Sequence, residues 1–312
     1  MKTLGMALLM AAGAATLAAS ASPEPAKGQG QAVVTVLPKK NLEAPVNITA
    51  QDLQVKVNGK ESSVTNWVPL RGERGDLELV VLIDSSARTS LGEQLNSIAN
   101  FIQGLPPNVK AGVAYMQNGR AALASPLSAD HDQVVRGLHL PVGFAGSSGG
   151  PYFCLSDLAQ HWPSGDHAAR HEVVMITDGV DNYDRRYDPD DPYVQTAVRD
   201  VVQAGLVVYS IYWRDRGLQD NSLYGATDGQ NLISLVTQAT GGENYWIGTG
   251  DPVSFQPYFE NISLRLQNQY RLSFASGLNG KPQVENMNLK VGGPAAKVYA
   301  PQQVYVTHPA GE

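Results

Sequence analysis

The sequence predicts an α/β protein: a doubly wound, mostly parallel sheet with a small flanking β lobe built from the N- and C-terminal segments. Three observations predict it. Residues 77–83 and 173–177 are almost unbroken apolar runs, the pattern of strands buried on both faces of a parallel sheet. Strand and helix signals alternate through residues 76–250, which calls for parallel strands joined by helical crossovers. Short β segments flank that stretch at both ends, and the termini of such a unit normally lie close together.

Taken in order, residues 1–21 have the layout of a secretory signal. Lys2 precedes an apolar stretch over residues 6–19, and Ala19-Ser20-Ala21 suits signal peptidase, so cleavage is expected near Ala21 and an exported mature chain follows. Residues 22–31 read as a Pro-rich flexible leader. The β segment of residues 32–75 contains β-rich residues 32–37, an alternating run at 53–57 and an Asn58-Gly59 hairpin signal.

The central unit, residues 76–250, opens with the strand that ends in Asp84. A capping-box pattern at Ser90 and Glu93 then starts a helix whose Leu91, Leu95, Ile98, Ile102 and Leu105 recur at 4-3-4-3 spacing until Pro106-Pro107. Strands follow at 109–116 and 121–125, and a short helix at 130–140 capped by Asp130. A glycine-rich loop at 143–150 leads to a helix over 152–162. A strand at 172–177, a helix opened by Asp191-Pro192 and closed by Gly205, a strand at 206–213, a helix at 231–240 and a strand at 245–247 complete the unit. Residues 251–312 give a helix over 255–269, striped by Phe255, Phe259, Ile262 and Leu266. The β segments at 270–274, 285–291 and 296–306 are expected to pack with the N-terminal β segment.

Composition limits the function. The formal charge of −6 offers nothing for nucleic acid or an anionic membrane and favours a cationic or neutral partner. No run after the signal approaches membrane-spanning length, so no transmembrane segment is expected in the mature chain. Cys154 stands alone, excludes an internal disulfide and reads as a small core residue.

In an open sheet of this kind, ligands sit beyond the carboxyl ends of the strands where strand order reverses. Asp84 and Asp178 end two of the buried strands there. Residues 80–84 with Ser85-Ser86-Ala87-Arg88, and residues 173–179, resemble the first and last motifs of von Willebrand factor A domains. The flanking Gln51-Asp52-Leu53, Asn58-Gly59-Lys60 and Gln269-Tyr270 resemble the bacterial exported branch of that family. The resemblance implies a metal-ion-dependent adhesion site whose cation takes a partner's carboxylate. Carried over, Asp84, Ser86 and Asp178 match ligand positions. Arg88 replaces a Ser, and residues 149–157 hold no Thr, so the site is degenerate.

The expectation is therefore no cofactor, with Arg88 as an internal cation facing the two carboxylates; a weak Mg²⁺ or Ca²⁺ site is the alternative. The function expected is a non-enzymatic protein-binding module with an unnamed protein partner, using a rim of Ser85, Arg88, Ser148, Tyr152, Asp181 and Tyr183. Its rivals are a cell-envelope scaffold acting through the β lobe, and a serine hydrolase using Ser148 in Gly146-Ser147-Ser148-Gly149-Gly150. Against the hydrolase, Pro141 and Gly143 make residues 140–144 a poor strand. Of the acids that crowd the loop after the last motif, Asp191 reads as the helix cap before Pro192 and the rest as a solvated loop, and His161, His167 and His171 as surface residues.

Overall fold

The computed structural model describes residues 27–39, 47–71, 75–87, 89–142, 148–181, 188–214, 223–248, 250–277, 281–292 and 296–308. The signal segment, Arg88 and Tyr183 lie outside them.

Strand β1 spans Lys27–Pro38, so it begins inside the segment expected to be a flexible leader. The polar, glycine-rich text of residues 27–31 hides a strand signal: Gly28, Gly30 and Ala32 face inward while Gln29 and Gln31 face out. Gly30 lies against the Phe274 ring, and any Cβ there would overlap it. Strands β2 (Leu53–Val57) and β3 (Lys60–Pro69) form the expected hairpin. Asn58 and Gly59 take φ of 47° and 77°, the two positive values a tight turn between twisted strands requires.

The central sheet contains β4 (Leu77–Asp84), β5 (Val109–Gln117), β6 (Arg120–Ser128), β7 (Arg170–Thr177), β8 (Val207–Tyr212) and β9 (Asn244–Tyr245). Its order is β6-β5-β4-β7-β8-β9, parallel except for the edge strand β6. Strand order reverses between β4 and β7, which pair directly in parallel and are buried along their whole length. Helices α1 (Leu95–Gln103) and α2 (His131–Arg136) cover one face; α3 (Pro151–Gln160), α4 (Pro192–Gln203) and α5 (Leu223–Thr240) cover the other.

Local chemistry sets most helix ends. Asp130 accepts the Gln133 amide to cap α2, and Asp191 accepts those of Tyr193 and Val194 to cap α4. The Ser90–Glu93 pattern does not cap α1: residues 89–94 form a 3-10 segment, and α1 begins after Gln94. Helix α5 starts at Leu223, eight residues before its predicted start, and carries Gly229 in its interior. A Cβ on Gly229 would overlap the Asp178 carbonyl oxygen, so this glycine permits backbone contact with the β7 loop rather than ending the helix.

Helix α6 (Gln256–Leu266) was expected with the β lobe, but its apolar stripe packs on the central sheet. Phe259 stacks on Phe101 at 4.4 Å, and Phe255 meets Trp213 edge-on at 5.2 Å. Periodicity shows that a helix has a face to bury; it does not name the core that receives it. The chain then forms β10 (Gln269–Gly277), β11 (Gln283–Val291), β12 (Ala296–Tyr299) and β13 (Gln303–Thr307). Antiparallel pairing runs β1-β10-β3-β2-β11-β13 and back to β1, closing a barrel around Val34, Val55, Leu272, Phe274 and Val306, while β12 extends β1. Closure leaves no open edge in that ring.

Candidate functional site

The candidate site is the carboxyl end of the central sheet, above β4, β7 and β8. Asp84 ends β4 with its side chain buried, and its Oδ2 accepts the Thr177 hydroxyl at 2.9 Å. Thr177 Oγ1 in turn accepts the Gly179 amide at 3.1 Å, so one acid ties both strands of the switch point together. Asp178 is half-buried and accepts the Val180 amide at 3.0 Å. Gly179 has φ of 69° and meets Gly229 backbone to backbone, which seats this loop on α5.

The middle loop contributes a tyrosine where the family resemblance asks for a threonine ligand. Tyr152, in the first turn of α3, is buried and donates its hydroxyl to the Gly179 carbonyl at 2.6 Å. Burial, reinforced by Asp181, Asp178 and Asp191, holds its pKa well above the usual phenol value, so it remains a neutral donor. This latch was missed in the sequence, where a Tyr after Gly-Gly-Pro has no distinguishing spacing.

Four residues assigned to a solvent-facing rim are corrected by burial: Ser85, Ser148, Tyr152 and Asp181 are each no more than 2% exposed. They form the floor of the crevice. Buried between strand end and helix, they are inaccessible to a partner's surface. The other two, Arg88 and Tyr183, lie outside the described residues.

Ser148 is a packing residue. Its carbonyl accepts the Gly119 amide and the Cys154 thiol, and its Oγ accepts the Gly150 amide at 3.4 Å. No histidine is among its hydrogen-bond partners in the described residues. The neighbouring glycines have a backbone reason: a Cβ on Gly149 would overlap the Gly119 amide. Cys154 is buried, and burial first, then the charges of Asp84 and Asp157, push its thiol far above the reactive range.

Asp84 and Asp178 offer carboxylate oxygens, but one oxygen of each is engaged by Thr177 or Val180, and Tyr152 turns its hydroxyl to backbone. Ser85 Oγ is buried without a hydrogen-bond partner, while the side chain of Ser86 is outside the described residues. Among the described residues no group of three or more His, Cys, Asp or Glu is placed to hold a metal ion.

The exposed chemistry at this end lies elsewhere. After β9 the chain crosses the sheet end from Trp246 to Ser254, and Trp246, Ile247 and Val253 are 50%, 54% and 93% exposed. The loop is nevertheless anchored. Gln230 donates to the Gly248 carbonyl, Asp251 accepts the Arg214 amide at 2.7 Å, and buried Gln94 bonds both the Val253 carbonyl and the Phe255 amide at 3.0 Å.

Away from the crevice, His171 also departs from the surface reading: it is buried, stacked on Trp162 at 4.6 Å, with Nε2 3.4 Å from Glu78. Burial lowers its pKa despite that carboxylate.

No family model matches the chain, and no curated protein matches it. Among solved structures it is similar to an aerotolerance-related membrane protein from Bacteroides fragilis, at 13% identity, 61% of this chain, 98% of the other and a TM-score of 0.43. It is similar to the conserved hypothetical protein BatB from Bacteroides thetaiotaomicron at 12% identity, 61% and 97% coverage and a TM-score of 0.40. It is also similar to the SpRpn10 VWA domain at 14% identity, 59% and 94% coverage and a TM-score of 0.39. The doubly wound assignment rests on the strand order itself. Among the described residues no helix is long and apolar enough to cross a membrane.

Proposed function

We propose that this chain is an exported, non-enzymatic interaction module that docks a protein partner on the carboxyl-end loops of its central sheet. One observation carries the reading: a loop pinned at both ends holds Trp246, Ile247 and Val253 out in solvent. Apolar side chains held in place in this way have lost part of their ordering cost before a partner arrives, the usual setting of an interface anchor. Described acids beside the loop, Glu93, Asp178 and Asp251, favour a cationic rim on the partner. The buried crevice acts as the rigid base of that surface.

The test is capture from envelope extract with wild type and with a Trp246→Ser, Ile247→Ser, Val253→Ser variant. Melting should be unchanged, since these side chains are exposed, and the specifically bound proteins should be lost. An unchanged bound set would overturn the docking surface and favour a scaffold acting through the barrel.

A further inference from the structure

A cavity of about 310 Å³ opens at the amino end of the central sheet, where the chain passes from the barrel into β4. It lies between the end of β3, the first residues of β4 and β5, and the carboxyl ends of α1 and α6. Five segments each bring an apolar side chain to it: Leu70, Leu77, Leu105, Val109 and Leu266, all no more than 7% exposed.

Size limits what can fill it. Protein interiors pack to the density of organic crystals, so a space of this volume beside a leucine-lined core departs from ordinary filling. An apolar cavity of about 150 Å³ takes a benzene ring, and about twice that takes a molecule of two fused rings. One turn of a partner's helix, about 10 Å across and about 5.4 Å long, occupies roughly 420 Å³ and does not fit. The volume therefore selects a small molecule over a docked protein segment, and such sites favour the junctions between lobes.

Polar groups form the mouth. Arg71, Asn108 and Gln267 are exposed and Ser263 is half-buried. Arg71 lies over the Tyr270 ring at 5.7 Å and donates to Asn268 at 3.3 Å, while Asn108 donates to the Gly75 carbonyl at 3.4 Å. Arg170 also lines the cavity, but it donates to Gly75, Leu266 and Gln269 and has buried Glu172 beside it, so its charge is compensated. The ends of α1 and α6 present carbonyls and partial negative charge, which disfavours an anion. The leucine floor disfavours charge of either sign, because a charged group there would leave water without a partner. Apolar contact below and hydrogen bonding at the mouth remain.

We infer that this cavity binds a small, neutral, largely apolar molecule, of the size of two fused rings and carrying one hydrogen-bonding group. It shares no residue with the docking loop, so it stands apart from the docking proposal.

Saturation-transfer NMR and thermal unfolding of the purified protein with indole and with 2-naphthol test it. Indole-3-acetate and tryptamine carry the indole ring with a negative and a positive charge and serve as controls. At least one neutral probe should bind at about 1 mM or tighter and raise the melting temperature. Both charged probes should bind at least about tenfold more weakly. Ser263→Leu should fill the cavity from α6, where leucine is a good helix former, and abolish binding. Asn108→Leu, from an exposed position at the mouth, is a second filling variant and should weaken binding as well. Absence of binding by both neutral probes, equal affinity for either charged probe, or wild-type affinity in a folded filling variant would overturn the inference.

Discussion

Glu172 makes the stability of this protein dependent on pH in a direction opposite to the usual carboxylate. It sits in β7 with no exposed surface, beside Arg170 on its own strand, Tyr209 of β8 and Gln269 at the start of β10. Tyr209 and Gln269 are close enough to favour its charged form, but neither carboxylate oxygen makes a hydrogen bond of ordinary geometry. Burial outweighs all three neighbours and raises the pKa from 4.5 to about 7. Below 4.5 the group is protonated in both folded and unfolded chains and costs nothing. Between 4.5 and 7 the folded chain holds a proton that the unfolded chain has released, so stability falls as pH rises, by about 1.4 kcal/mol per pH unit. Above 7 the full cost of about 3 kcal/mol is present. Replacing Glu172 by Gln keeps the shape and removes the ionisation. Urea unfolding of wild type and Glu172→Gln from pH 4.5 to pH 8.5 should give curves that coincide at the acid end and separate progressively, with the variant more stable at pH 8. Taking the difference cancels the opposite contribution of His171, whose lowered pKa removes stability as pH falls. Parallel curves across that range, or a variant less stable at pH 8, would refute the burial argument.

Three further outcomes follow from named contacts. Gly229→Ala should destabilise by about 1–3 kcal/mol, because the added Cβ overlaps the Asp178 carbonyl. In an unconstrained helix the same change stabilises by about 1 kcal/mol, so the sign of the shift in thermal or urea unfolding decides. Arg88, outside the described residues, is proposed as the cation facing Asp84 and Asp178. Calorimetry should then show no Mg²⁺ binding at millimolar metal, and Arg88→Ala should lose up to about 3–5 kcal/mol, part of it restored by added Mg²⁺. Micromolar Mg²⁺ affinity in wild type would defeat that proposal. Export predicts a mature chain beginning near Ser22; an intact mass retaining Met1 on protein from the native source would count against it.

Local signals in the sequence determined what local physics controls. Nearly uninterrupted apolar runs marked β4 and β7 because strands covered on both faces take apolar side chains at most positions, with Glu78, Arg170, His171 and Glu172 as buried polar exceptions. Asp130, Asp191-Pro192 and Asn58-Gly59 marked ends and turns because each satisfies backbone groups within a few residues of itself. The two acids at the switch point were legible for the same reason: Asp84 closes one buried strand and Asp178 follows directly on the other.

Only the tertiary structure decided which surfaces meet. β1 pairs with β10, so Lys27 lies opposite Gly277, and nothing within either segment encodes that partner. Gly30 and Gly229 read as linker and breaker until Phe274 and the Asp178 carbonyl press against them. Ser85, Ser148, Tyr152 and Asp181 looked like a binding rim because polar residues between regular elements are usually exposed, whereas here the fold buries all four.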